Sequence, residues 1–366
     1  MPSLFDPLTL RGVTLRNRIG ISPMSQYAAG PDGRAGDWHL VTLGARAAGG
    51  AGLVMVEATS VSPEARATPD DLGLWDDSQI APLARVAGFI RDMGAVPGIQ
   101  LQHAGAKAST TPPWHGGRPI GEQGWDIVGP TADPFGGFLK QAPRALDEAG
   151  IAKVRRDFAD AARRADEAGF ELLQLHAAHG YLLQAFLSPI ANRRTDAYGQ
   201  DRARLLHEVI GDVRDVWPSH KPLSIRLGAG DFHPDGMSVE DALAVARALP
   251  GAGVDLLDVS IAFSAVLPVD LPWDQPAFLA PFASGMRKAA GIPTAMSWAI
   301  DTPHDAQRVI DEGAVDMVML ARPSLFDPNW PLRAAVALER PDPAKLLPIR
   351  HGHWLQSWLD GGRILR

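Results

Sequence analysis

The sequence predicts a (β/α)8 TIM barrel, an α/β fold, with an N-terminal β-hairpin and an extended C-terminal tail. Eight short apolar runs alternate with eight longer amphipathic segments, the rhythm of strands and covering helices around a closed parallel sheet. The turn after the first run, Ser22-Pro23-Met24-Ser25-Gln26-Tyr27, has none of the glycines that a doubly wound sheet uses at that place. A chain of 366 residues, 46% hydrophobic and 21% charged, has material for a large core, and single barrels reach this length. One domain spanning 1–366 is expected.

In chain order, Leu8 to Arg18 alternates apolar and polar residues around Gly12, which predicts a hairpin placed to close the barrel floor. The strand candidates are 19–22, 53–57, 96–100, 172–175, 223–227, 256–260, 293–296 and 317–320. Helix candidates lie at 38–50, 79–93, 147–168, 200–216, 238–249, 277–290, 303–312 and 328–338. Ser238 and Thr302 stand where N-caps belong, Pro303 takes the first helical position, and Gly94 and Gly169 follow helix ends. Two long loops break the rhythm, from Gln102 to about Arg144 and from Ile261 to about Pro276. Such loops on the carboxyl face of a barrel are usually binding elements. The tail, 341–366, carries Trp354 and Trp358, and is expected to pack on a neighbouring subunit.

A net charge of −7 without any Lys/Arg-rich block argues against a nucleic-acid partner. The absence of cysteine excludes disulfides, iron–sulfur clusters, thiolate-bound zinc and a cysteine nucleophile. No run is long enough to span a membrane, and the start has neither a basic nor an apolar leader region. A cytoplasmic protein with no membrane partner is expected.

Chemistry concentrates at the strand ends. Leu172–Leu175 leads into His176-Ala177-Ala178-His179-Gly180-Tyr181, which places two imidazoles and one of three tyrosines at the carboxyl end of strand four. His-x-x-His alone also fits zinc, but zinc needs a third ligand and none is recognisable, so no metal is expected. The same face should receive Pro23, Met24, Ser25 and Tyr27 from strand one, Ala58 from two, and Gln100, His103 and Lys107 from three. Arg226 comes from strand five, Ser297 and Trp298 from seven, Ala321 and Arg322 from eight. Arg322 stands where barrels bind phosphate. Arg226 is expensive to bury alone, so something anionic is expected near the axis. A phosphate at one end, an amide on a polar face and a cation under a ring describe a flavin mononucleotide across the barrel mouth.

These residues bring the chain to a family that it resembles over nearly its whole length, the Old Yellow Enzyme family of ene-reductases, in its short bacterial branch. The resemblance rests on Leu4-Phe5-Asp6-Pro7-Leu8, Asn17-Arg18-Ile19, Ser22-Pro23-Met24, Val56-Glu57-Ala58, Gln100-Leu101-Gln102-His103-Ala104-Gly105, the segment from His176 to Leu182, Arg194-Thr195-Asp196-Ala197-Tyr198-Gly199, and Arg322. It implies tightly but non-covalently bound FMN, contacted at the ring by Pro23, Met24, Ser25, Ala58, Gln100 and Arg226. Ser297, Trp298, Ala321 and Arg322 would hold its phosphate. It implies NADPH or NADH as hydride donor and an α,β-unsaturated carbonyl substrate. His176 and His179 would bond the carbonyl oxygen, hydride would arrive from flavin N5, and Tyr181 would protonate the α-carbon. Tyr27, Lys107 and Trp354 would line the substrate site, Trp354 in its own or a partner's active site, within a homodimer or homotetramer.

The chain departs from the family at Ser25, where the branch usually has cysteine, at Ser297 and Ala321, where glycines are usual, and at Phe326, which replaces an arginine. The segment Tyr198 to Arg202 is abbreviated. Two other readings stay open at this point: a flavin-free barrel enzyme whose Arg322 holds a substrate phosphate, and a non-catalytic flavin-binding protein. The longer dienoyl-CoA reductase relatives are disfavoured, since their cluster-binding cysteines are absent.

Overall fold

The eight apolar runs form eight parallel strands: Ile19–Ile21, Leu53–Ser60, Val96–Gln102, Leu172–Ala177, Leu223–Gly228, Leu256–Ser260, Thr294–Met296 and Met317–Leu320. Each pairs with the next, and the last pairs with the first, so the sheet closes. This computed structural model describes residues 2–261 and 271–361. All strand residues are buried, as a parallel sheet covered on both faces requires.

Alternation along the strands sorts side chains into two cores. Val54 and Val56 point outward and join the large layer between sheet and helices. Their neighbours Leu53 and Met55 point inward and cluster with Val96, Leu172, Leu256, Ala295, Met317 and Met319 at the floor of the barrel. Glycine makes room in this floor: a Cβ on Gly98 would lie 2.3 Å from Met55 Sδ. The predicted hairpin, Leu8–Leu10 with Val13–Leu15, inserts Leu8, Leu10, Val13 and Leu15 into the same cluster and closes the floor as expected.

The eight predicted helices are present at Asp37–Ala48, Ile80–Asp92, Glu148–Glu167, Arg204–Val216, Val239–Ala248, Ala280–Ala290, Pro303–Asp311 and Trp330–Ala337. Ser238 and Thr302 cap as expected, each accepting from the N–H three residues on. Gly94 and Gly169 adopt the left-handed backbone that ends a helix. The helix expected at 200–216 begins instead at Arg204. Asp196 caps a separate turn, Ala197–Gln200, and Asp201 is extended between the two. Besides Ala197–Gln200, three α-helices among the described residues were not legible: Leu182–Leu187 and Arg322–Phe326, which are too short to display a period, and Ile349–Asp360 in the tail. In the second long loop, 262–270 lie outside the described residues, as do 362–366 of the tail. Among the described residues no helix is long and apolar enough to cross a membrane.

Because the hairpin shares the floor core, truncating a fully buried hairpin side chain should be as costly as truncating one in the barrel. Leu15→Ala is expected to lower the unfolding free energy by about 2–5 kcal/mol in urea denaturation. A midpoint within error of the parent protein would mean that the hairpin is an appendage.

Candidate active site

Strand four carries His176 in its last turn of backbone and then bends sharply. His179 (φ 59°) and Gly180 (φ 75°) are both left-handed, which for a residue with a Cβ costs on the order of 1–3 kcal/mol and needs support. Backbone bonds supply some of it: His179 N–H donates to Ile261 O at 3.3 Å, Tyr181 N–H to Ala178 O at 3.2 Å, and Leu182 N–H to His103 O at 2.9 Å. The bend carries both imidazoles and the phenol to one place. The His176 ring centroid is 4.9 Å from that of His179 and 4.7 Å from that of Tyr181.

Hydrogen bonds assign the tautomers. His176 Nδ1 accepts from Ala178 N–H at 3.2 Å, so its proton resides on Nε2, which faces His179 Nδ1 at 3.2 Å. His179 Nδ1 is then the acceptor, and its Nε2–H donates to Ser260 Oγ at 2.7 Å. Trp298 Nε1–H donates to the same oxygen at 3.0 Å. Burial drives the pKa of each histidine well below its ordinary value, and the Arg226 and Lys107 cations push the same way. Burial also raises the Tyr181 phenol well above its usual value. At neutral pH the cluster is therefore two uncharged imidazoles and a protonated phenol.

A ladder of polar side chains crosses the barrel beneath them. Gln100 Nε2 donates to Gln174 Oε1 at 2.7 Å, Gln174 Nε2 to Asp258 Oδ2 at 3.2 Å, and Asp258 Oδ2 lies 3.5 Å from Arg226 Nε. Arg226 Nη2 donates to Ser297 Oγ at 2.9 Å. The anionic neighbour expected for Arg226 is thus supplied partly by the protein: Asp258 of strand six, directly beside it in register. The pairing is incomplete, because the buried Arg226 Nε and Asp258 Oδ1 have no hydrogen-bond partner. Arg226 lines a cavity of about 230 Å³ together with Pro23, Met24, His179, Ser297, Trp298, Ala321 and Arg322. An unpaired buried guanidinium donor inside, with an exposed arginine at the rim, fits a ligand that offers an acceptor at one end and a phosphate at the other.

The other predicted residues, Ser25, Tyr27, Ala58, Gln100 and Lys107, are not among those that line this cavity. Ala58 and Gln100 are register neighbours on strands two and three. Ser25 bonds the Tyr27 phenol, whose pKa burial raises to about 12. Tyr27 itself is left-handed (φ 51°) and packs edge-on against Trp114 at 5.4 Å. Lys107 Nζ lies over the rings of Phe135 and Tyr181, at 4.8 and 5.5 Å. Neither Ser297 nor Ala321, read as replacing glycines, has a positive φ; the left-handed backbone falls on Trp298 and Ala299. Trp354 stands apart on the outer tail helix, 73% exposed. Sequence reasoning missed Gln174, Asp258 and Ser260. A polar residue inside an otherwise apolar strand was the available signal, and in a barrel it marks an inward position.

A profile of the NADH:flavin oxidoreductase / NADH oxidase family matches residues 3–340. An NADPH dehydrogenase of Geobacillus thermodenitrificans (strain NG80-2) is 42% identical over 339 residues, which cover 92% of this chain and 94% of that one. Among solved structures, an old yellow enzyme homologue from Zymomonas mobilis superposes with a TM-score of 0.74 at 27% identity, over 93% of this chain and 94% of that one. A 2-naphthoyl-CoA reductase gives a TM-score of 0.82 at 24% identity, over 93% of this chain and 53% of that one, and shows the fold alone. This chain spans about half of that reductase. The cofactor is FMN and the electron donor is NAD(P)H, which removes the flavin-free reading.

Buried neutral histidines make stability depend on pH. Burial holds His103 at about 4, so below its ordinary pKa the unfolded chain takes up a proton that the folded chain refuses. The stability it contributes is complete above about pH 6.5 and is lost as the pH falls. Between pH 7 and 5 this one residue should remove about 2 kcal/mol, and His176 acts in the same sense. Urea unfolding of His103→Gln at both pH values should show a loss smaller by that amount. An identical loss would mean that His103 is protonated in the folded state.

Proposed function

The chain belongs to the NADH:flavin oxidoreductase / NADH oxidase family and is an FMN-dependent, NAD(P)H-driven oxidoreductase; from that premise we propose that it is an ene-reductase. It reduces the activated C=C bond of α,β-unsaturated carbonyl compounds. The observation that carries this reading is the neutral His176–His179 pair in ring contact with a protonated Tyr181, with His179 lining the cavity. Bound FMN supplies hydride transfer. Its ring would rest on Pro23, Met24, Ser25, Ala58, Gln100 and Arg226, and its phosphate on Ser297, Trp298, Ala321 and Arg322.

The residues of the chain supply the rest. A carbonyl oxygen entering between the two rings replaces their mutual hydrogen bond and receives the His176 Nε2 proton in a new one. His179 reaches the same oxygen through Nδ1–H if its tautomer reverses, and Ser260 permits this, because a hydroxyl that accepts from Nε2–H can equally donate to Nε2. Two neutral donors then stabilise enolate charge in a site where water does not compete. Tyr181, held protonated, delivers a proton to the α-carbon. Tyr27 and Lys107 line the substrate side. Dry surroundings thus serve both steps, since they strengthen the donors and keep the acid loaded.

The proposed protein is a single domain that acts on small molecules, without nucleic-acid or membrane partners, as a homodimer or homotetramer. The tail helix supports an assembly through its exposed Ile349 and Trp354, and Trp354 is the residue proposed to reach an active site.

Anaerobic addition of NADPH should bleach the flavin spectrum, and 2-cyclohexenone should restore it. Bleaching without restoration would leave a flavin protein that is no ene-reductase. Tyr181→Phe is expected to leave the first step near normal and to slow the second by about 10²-fold or more, whereas equal slowing of both would remove Tyr181 from the acid role. Ser260→Ala should slow enone-driven reoxidation about tenfold, the effect of one lost hydrogen bond of about 1.4 kcal/mol. An unchanged rate would exclude the tautomer reversal.

A further inference from the structure

The left-handed bend between His179 and Tyr181 contains one peptide group whose two polar atoms are both held by side chains. Its carbonyl, His179 O, accepts from Lys107 Nζ at 2.8 Å. Its N–H, on Gly180, donates to Gln184 Oε1 at 2.7 Å. The two grips come from different elements, Lys107 from the turn after strand three and Gln184 from the helix after strand four. Gln184 is fully buried and is fixed in turn, since its Nε2 donates to Asp231 Oδ1 at 3.0 Å. Asp231, in the segment after strand five, also accepts from Ser188 Oγ at 2.5 Å and Met237 N–H at 2.7 Å.

We propose that Lys107 and Gln184 form a peptide clamp, a pair of positioning residues that fix the plane of the 179–180 peptide and thereby aim His179 and Tyr181 at the substrate. This inference rests on the ene-reductase reading for its kinetic effect, but not for its structural one. Both residues flanking the peptide have positive φ, and at His179, which carries a Cβ, that conformation persists only where surrounding contacts over-determine it. If this peptide were released, the left-handed bend that brings the imidazole and the phenol together would lose its side-chain support. Two anchors on opposite atoms hold the peptide better than either alone.

The clamp is pH-sensitive on one side. Burial lowers the Lys107 pKa to about 8, so its charge-assisted bond to His179 O weakens as the pH rises through that value. The titratable groups around it are His176, His179 and Tyr181 of the strand-four turn. The two imidazoles are already neutral there and the phenol stays protonated.

The test uses the FMN-loaded full chain and two readouts. In ¹⁵N–¹H spectra the Gly180 amide should titrate with a midpoint near pH 8 in the parent protein, stay flat in Lys107→Met, and shift with no midpoint near 8 in Lys107→Arg. Reoxidation by 2-cyclohexenone at pH 7 should slow about tenfold in Lys107→Met and about tenfold in Gln184→Met. Lys107→Arg should recover most of the rate and hold it above pH 8, where the parent declines. The double variant should be slower than either single one by much less than the product of their effects, because both act on one peptide. A Gly180 amide that does not titrate, a Lys107→Met rate equal to the parent's, or fully multiplicative effects would overturn the clamp. If the parent protein shows the Gly180 titration but is not reoxidised by the enone, the clamp is upheld and the ene-reductase reading falls.

Discussion

Closing eight parallel strands brings their carboxyl ends into one small volume with little room for water, and the properties of the site follow from that loss of hydration. Imidazoles that would titrate near neutrality in water are held uncharged, and a phenol that would begin to ionise at alkaline pH is held protonated. No special acid is required for this. The same desolvation makes each remaining hydrogen bond count for more, which is why His176, His179, Ser260 and Trp298 form a continuous chain rather than four solvated side chains.

The polar ladder from Gln100 to Ser297 faces the opposite demand, since a buried arginine needs a neighbour. Asp258 lies beside Arg226 but does not pair with it fully, and Gln174 takes part of the carboxylate's hydrogen-bonding capacity. A protein stabilised only by its own contacts would close that gap. Leaving one donor of Arg226 without a protein partner is what an arginine reserved for a ligand requires.

Much of this was legible in the sequence because the fold is periodic. Alternation of apolar runs with amphipathic segments placed all eight strands, and strand ends in a barrel define the site, so His176, His179, Tyr181, Arg226 and Arg322 could be placed on one face from order alone. Residues inside strands were harder to read. Gln174 and Asp258 act through register with neighbouring strands, a relation between distant segments that no local pattern encodes. The hydrogen bond from Gly180 N–H to Gln184 Oε1 was hidden for another reason: Leu182–Leu187 is a single short apolar turn whose one polar residue reads as a surface position, whereas it is buried and points back at the bend. Trp298, read as a phosphate-side residue by resemblance, lines the cavity with Arg322, and its indole also bonds Ser260 beside His179.

The central claim is that the two buried imidazoles form an oxyanion site, and a phenol offers the most direct measurement because its phenolate resembles an enolate without reacting. Titrating FMN-loaded protein with 4-chlorophenol and following the flavin absorbance gives a dissociation constant. Affinity is expected to weaken about tenfold or more in His176→Ala and in His179→Ala, the loss of one charge-assisted hydrogen bond each, with flavin still bound. Affinity unchanged by both substitutions would contradict that claim.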